Sequence, residues 1–281
     1  MLIGIDVGGT KTQAVLFDND GSIIKEVKLP SAHPMCAQDD EIISILQQCM
    51  LDETSDVVIG YAGYGKSETM RQHIESVVST ALKDRHVVIL SDIETALFST
   101  LEDRDGITLI LGTGSIALQR NNGAIERRGG WGYMLGDEGS GYAIGLDILR
   151  HFVFQADHRA KKDELYQAVM DHYHLSDPSQ LIETIMDHGK PDRTAIASAS
   201  ILSSTLSHHP VIRNILHTSA IEVYEMIQSF HNDSETIVIT GGMIHNSAYM
   251  EEIRHLLPQV LIATHPQVYG CYVYGRFHHM I

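Results

Sequence analysis

Apolar residues fall into short runs at the head of the chain. Leu2-Ile3-Gly4-Ile5 reads as a strand, Asp6-Val7-Gly8-Gly9-Thr10-Lys11-Thr12 breaks it, and Ala14-Val15-Leu16-Phe17 resumes it. A turn at Asn19-Asp20-Gly21 then leads into Ile23-Ile24. Apolar runs around Gly- and Asn-rich breaks predict two successive hairpins. The pattern returns later as Thr108-Leu109-Ile110-Leu111, Gly112-Thr113-Gly114-Ser115, Ile116-Ala117-Leu118, Asn121-Asn122-Gly123 and Ala124-Ile125. From Ala14 onward each residue of the first copy faces the one 102 positions later, so that Gly21 meets Gly123 and Ile23 meets Ile125. Internal duplication explains this economically.

Between the copies, Ile42, Ile43, Leu46, Cys49 and Met50 keep helical spacing, and Met70, Ile74, Val77, Val78, Ala81 and Leu82 repeat it behind a candidate N-cap at Ser67. Each helix leads toward a short apolar strand, Val57-Val58-Ile59 and Val87-Val88-Ile89-Leu90. Beyond the second copy, helical patterns over 143–154, 164–170 and 210–230 precede strand Ile237-Val238-Ile239, turn Gly241-Gly242, a helix, strand Val260-Leu261-Ile262 and a terminal helix. Alternating strands and helices predict an α/β protein with an antiparallel meander opening each half. The halves divide near Glu102, giving domains 1–102 and 103–281.

Composition narrows the function. The 281 residues carry 20 Lys and Arg against 36 Asp and Glu, a net charge of −16. Such a chain lacks the basic face that nucleic acids and anionic membranes require. No run approaches the ~20 apolar residues of a membrane span, and no signal-peptide pattern opens the sequence, so a soluble cytoplasmic protein is expected. Cys36, Cys49 and Cys271 are odd in number and far apart, which predicts reduced thiols. The 17 histidines show no i, i+4 pair of the zinc-binding kind among the adjacent pairs His208-His209 and His278-His279.

Four segments carry candidate chemistry. The tips Gly8-Gly9-Thr10-Lys11-Thr12 and Gly112-Thr113-Gly114-Ser115 combine glycines, which let backbone approach a ligand, with hydroxyls; successive N–H groups in such turns bind anions. Thr240-Gly241-Gly242 follows an apolar strand and precedes a helix, where nucleotides meet backbone closely. Asp92 ends a strand and begins a helix, a position that serves either an α/β site or a helix cap. Gly129-Gly130-Trp131-Gly132-Tyr133-Met134-Leu135-Gly136-Asp137-Glu138-Gly139-Ser140-Gly141 joins the single tryptophan to two acids, a surface suited to a sugar's apolar face and hydroxyls. A competing motif, Gly60-Tyr61-Ala62-Gly63-Tyr64-Gly65-Lys66-Ser67, fits the P-loop pattern and its strand-to-helix context.

Taken together and in this order, Gly4 to Thr12, Leu111 to Ser115, the Gly129-Gly130-Trp131-Gly132 and Gly136-Asp137-Glu138-Gly139-Ser140 blocks and Thr240-Gly241-Gly242 resemble the BadF/BadG/BcrA/BcrD ATPase family, most of all its N-acetylglucosamine kinases. The resemblance implies two ribonuclease-H-like domains of the actin-like ATPase superfamily, with an ATP cleft between them. It implies that Asp6 helps hold Mg²⁺, and that Gly8, Gly9, Thr10, Lys11 and Thr12 with Gly112, Thr113 and Gly114 face the phosphates of ATP. Gly241 and Gly242 match the adenosine motif, Asp92 the catalytic aspartate, and His33, Gly63, Trp131, Gly132 and Asp137 the amino-sugar contacts.

The sequence also departs from the family pattern. Ala32-His33-Pro34 lacks the asparagine that usually precedes this histidine, and Ile93-Glu94 follows the aspartate where smaller residues are usual, so the identity of the sugar stays open. Gly270-Cys271, in place of a Gly-Ala pair, is expected to alter the packing behind adenine. The family's dehydratase activators hold an iron–sulfur cluster through paired cysteines, and no cysteine lies near the second hairpin. The expected function is an ATP-dependent sugar kinase, a homodimer by family tendency, transferring phosphate to the 6-hydroxyl of N-acetylglucosamine or a relative. The alternatives are a P-loop enzyme using Gly60 to Ser67 and a non-catalytic ATP or sugar sensor.

Overall fold

The structure, a computed structural model, describes residues 1–65, 67–230 and 236–281. Two compact units emerge: Met1–Arg104 with Ala263–Ile281, and Asp105–Ile262.

In the first unit, β1 (Leu2–Val7), β2 (Lys11–Phe17) and β3 (Ile23–Pro30) form an antiparallel meander, and β4 (Asp56–Tyr61) and β5 (Val87–Ser91) extend it in parallel, in the order β3-β2-β1-β4-β5. The central strands are apolar on both sides because both sheet faces are covered. Ile3, Ile5 and Ile59 pack against Ile42, Leu46, Ile74 and Val78 of α1 (Asp39–Gln48) and α2 (Glu68–Ala81). The alternate residues Leu2, Val58 and Leu90 face Cys271 of the C-terminal helix Tyr269–Phe277. Edge strand β3 is mostly exposed and carries Lys25, Glu26 and Lys28, as an unpaired edge requires.

The second unit repeats the plan with β6 (Gly106–Leu111), β7 (Ser115–Asn121), β8 (Ala124–Gly129), β9 (Ile237–Thr240) and β10 (Leu261–Ile262), ordered β10-β9-β6-β7-β8. Helices α4 (Gly141–Ala156), α5 (Glu164–His172), α6 (Pro210–Gln228) and α7 (Ser247–Leu256) bury its core, in which Ile107, Leu109 and Ile239 meet Ile148, Val223 and Ile253. The duplication extends to register: Val15 pairs with Glu26, and Ala117 with Arg128, each 102 positions later. The copies differ at their tips. Val7 pairs with Thr12 across 8–11, one pair beyond Asp6 and Gln13, whereas Leu111 pairs with Ser115 across 112–114.

One expectation changes here. Residues 103–281 do not form one body, because Ala263–Ile281 belongs to the first unit. Its helix lies so close to α3 (Asp92–Leu101) that a Cβ on Gly270 would stand 2.0 Å from the Thr95 carbonyl oxygen. Val268, Tyr272 and Val273 complete this contact against Val15 and Phe17. Cys271 is therefore buried behind β1, its thiol facing the Ile5 carbonyl. Among the described residues no helix is long and apolar enough to cross a membrane.

Candidate active site

Strand direction places the candidate residues of each unit. In the first unit β1, β3, β4 and β5 all run the same way, so their C-terminal ends share one sheet edge. Asp6 near the end of β1, the tip Gly8-Gly9-Thr10, the His33 loop after β3, Gly63 after β4 and Asp92 after β5 gather there. In the second unit β6, β8 and β9 likewise end together, which collects Gly112-Thr113-Gly114, the Trp131 loop and Gly241-Gly242. Open α/β sheets bind ligands at this edge.

The first tip is a tight closure in which the Gly8 N–H donates to the Lys11 carbonyl at 3.0 Å. The Ser31 hydroxyl donates to the Gly8 carbonyl at 2.7 Å and the Cys36 thiol to the Gly9 carbonyl at 3.2 Å, fixing the tip from behind while Gly9, Thr10 and Lys11 stay exposed. Thr12, expected at the phosphates, is fully buried, and its hydroxyl accepts the Ala32 N–H at 2.9 Å. It holds the loop that carries His33. The Tyr61 hydroxyl secures the same loop by donating to the Ala32 carbonyl. The His33 Nδ1 accepts the Met35 N–H at 3.1 Å, which in the neutral ring leaves the proton on Nε2. That nitrogen lies 3.3 Å from the position of a Cβ on Gly63, so these two expected sugar contacts are neighbours.

Asp92 is not the cap of its helix. Ser91 is the N-cap of α3, accepting the Glu94 N–H, while the Glu94 carboxylate accepts the Ser91 N–H at 2.8 Å in a capping box. The Asp92 carboxylate accepts the Ile93 N–H at 3.1 Å, and the Gln267 amide donates to its carbonyl. Burial, then the charge of Asp92, pushes the Asp6 carboxyl up to about 6, with Lys11 acting in the opposite sense. A carboxylate whose neighbour's charge raises its pKa at one sheet edge suits a divalent cation. Among the described residues no group of three or more His, Cys, Asp or Glu could hold a metal ion.

The second unit carries a pocket of about 380 Å³ lined by Gly112, Thr113, Gly141, Thr194, Ser198 and Gly242, among others. It joins the second tip to the third glycine turn. The Gly112 and Thr113 carbonyls accept the N–H groups of Gly141 and Tyr142, so α4 starts against the tip. Gly241 has φ 103°, and a Cβ there would lie 2.3 Å from the Leu111 carbonyl oxygen, so only glycine allows the turn to reach the tip. Thr194 and Ser198 lie in a polar stretch without a motif. A wider pocket of about 710 Å³ borders Gly9 and Thr10, but its Asp40 and Glu41 walls repel anions.

The sugar-loop residues differ in exposure. Trp131 is 67% exposed, and Met134 and Leu135 are more so. The Arg127 guanidinium stands 4.7 Å over the Trp131 ring, covering one face. Gly132, at φ 83°, lets the exposed loop turn. Asp137 is only 3% exposed, holds a left-handed backbone at φ 64°, accepts the Ser115 N–H at 3.3 Å and pairs with Arg193 at 3.3 Å. It buttresses the second tip. The P-loop candidate does not make a cradle: Gly60 and Tyr61 are strand, Tyr61 is buried, and the Ser67 hydroxyl caps α2. Its Lys66 lies outside the described residues.

Comparison with known proteins identifies the family. The model of the BadF/BadG/BcrA/BcrD ATPase family matches residues 3–269. The chain belongs to that family. An N-acetylmuramic acid/N-acetylglucosamine kinase of Clostridium acetobutylicum is 29% identical, with 98% of each chain covered. An N-acetyl-D-glucosamine kinase of Dictyostelium discoideum is 28% identical over 95% of this chain and 91% of its own. The crystal structure of a putative N-acetylglucosamine kinase from Porphyromonas gingivalis superposes with a TM-score of 0.80 at 20% identity, covering 99% and 100% of the two chains. The two-domain fold is therefore that of this kinase and ATPase group.

Proposed function

We propose that this family member is an ATP-dependent kinase of N-acetylglucosamine or a closely related amino sugar. The observation that carries the reading is Asp92: it stands at the ligand-binding sheet edge, beside a helix start that Ser91 already caps, and its charge acts on Asp6. The names of the relatives, two of them N-acetylglucosamine kinases, support the choice of substrate.

Phosphoryl transfer rests on positioning and on neutralising charge. In the second unit the exposed Thr113 would receive phosphate and the pocket with Gly242, Thr194 and Ser198 the nucleoside; in the first, the exposed Gly9-Thr10 tip is the candidate phosphate contact. Asp92 would accept the proton of the sugar 6-hydroxyl and orient its oxygen for in-line attack. In the first unit His33, donating from Nε2, would contact the sugar; in the second, the open face of Trp131 is the candidate sugar contact. Asp6 would hold Mg²⁺, which when bound offsets phosphate charge.

The test is ADP release across a panel of N-acetylglucosamine, N-acetylmuramic acid, glucosamine and glucose. Release at least tenfold above the sugar-free rate with an N-acetylated sugar supports the reading. ADP release that ignores every sugar rejects it.

A further inference from the structure

Arg193 is the cation of the second tip, and no motif marks it. Its Nη2 pairs with Asp137 at 3.3 Å, its only hydrogen bond among the described residues, and its guanidinium lies 5.4 Å from the Tyr133 ring. Asp137 in turn touches the tip itself. A Cβ on Gly114 would stand 3.0 Å from both Asp137 carboxylate oxygens, and the Ser115 N–H donates to that carboxylate. Arg193 also starts the short helix whose Thr194 and Ser198 line the pocket with Gly112 and Thr113. The guanidinium is thus tethered within one carboxylate of the tip, while its side chain is 45% exposed.

An arginine carries five donors in a fixed fork, and a single bond to Asp137 leaves the rest of the fork able to meet phosphate oxygens. In a chain of net charge −16, an anionic ligand gains much from one held cation. We propose that Arg193, positioned by Asp137, binds the phosphate chain of the nucleotide at the second tip. The inference rests on the kinase reading and adds a phosphate ligand to it. Asp137 serves as the tether: it fixes the guanidinium without using up its donors. The competing explanation makes Arg193 only the counter-ion of a buried carboxylate, which needs a partner wherever it is.

Binding measurements on the full chain with Mg²⁺ distinguish the two. The non-hydrolysable ATP analogue AMPPNP and adenosine are titrated against wild type, Arg193→Ala, Arg193→Lys, Asp137→Asn and the Arg193→Ala/Asp137→Asn pair. The proposal expects Arg193→Ala to weaken AMPPNP at least tenfold with adenosine changed less than twofold, Arg193→Lys to fall between, and the double variant to stay as weak as Arg193→Ala. Recovery of AMPPNP affinity in the double variant, or an equal loss for adenosine, shows a counter-ion and overturns the proposal. So does an Arg193→Ala variant that binds AMPPNP like wild type. If the wild-type chain itself binds no AMPPNP, the kinase reading fails and the inference falls with it.

Discussion

The two hairpins share a register and end differently. Residues of β2 and β3 recur 102 positions later with equivalent partners, yet Leu111 stands where the first copy has Asp6, and the ladder closes around 112–114 in the second copy against 8–11 in the first. The first unit places an acid on the strand itself, where burial and Asp92 raise its pKa. The second keeps the strand apolar and brings its acid from the loop after β8, as Asp137, with Arg193 attached. A duplicated scaffold has thus specialised. One edge carries two carboxylates suited to a cation and a hydroxyl proton, and the other carries hydroxyls, glycines and a guanidinium suited to an anion.

The largest effect expected from breaking this contrast is at Asp92. Asp92→Asn should lower kcat by three orders of magnitude or more while AMPPNP binds within about threefold of wild type, because a carboxamide cannot accept the hydroxyl proton. Steady-state turnover and nucleotide titration check both parts. Equal loss of nucleotide binding would make Asp92 a structural residue.

Next comes the glycine that lets the second tip meet its third turn. Gly241→Ala forces a Cβ to within 2.3 Å of the Leu111 carbonyl oxygen at φ 103°, so it should cost about 2–4 kcal/mol of stability and raise the KM for ATP about tenfold or more. Denaturant unfolding and initial rates measure the two. Gly112→Ala, with nothing within 4 Å of the added atom, is the matched control for the steric cost.

Asp6 gives a stability change of opposite sign. Its folded pKa of about 6 exceeds the unfolded value near 4, so its contribution is fully present below about pH 4 and is lost as pH rises through about 6. Asp6→Asn should therefore be more stable than wild type at pH 7, by roughly 1–3 kcal/mol, and should flatten the stability profile between pH 4 and 6 while impairing Mg²⁺-dependent turnover. An Asn variant no more stable at pH 7 contradicts the burial argument.

Smaller effects sharpen the contrast. Trp131→Ala, at an exposed position, should leave stability within about 0.5 kcal/mol and raise the KM for the sugar several-fold. Lys66→Ala should change kcat/KM less than about threefold, whereas a P-loop lysine would cost two orders of magnitude or more.

Much of this was legible in the sequence because strands alternate and glycines punctuate. The meanders, both tips, the Ser67 cap and the repeat all follow from period and turn chemistry. The burial of Thr12 is readable from parity, since it shares a strand face with the core residue Ala14. The Ser91-x-x-Glu94 capping box was equally readable and separates Asp92 from the cap. Other features were hidden for physical reasons. A helical period shows that the last helix has an apolar face, not which sheet that face will cover. Arg193 sits in Asp192-Arg193-Thr194, an ordinary polar helix start, and gains meaning only when Asp137, 56 positions earlier, folds against it.

Every role assigned above depends on transfer of phosphate from ATP to a sugar hydroxyl. Phosphorus NMR of the wild-type chain incubated with ATP, Mg²⁺ and N-acetylglucosamine tests it most directly. A new phosphomonoester resonance coupled to the C6 protons, growing in step with ADP, is the predicted result; inorganic phosphate as the sole product beside ADP would contradict it.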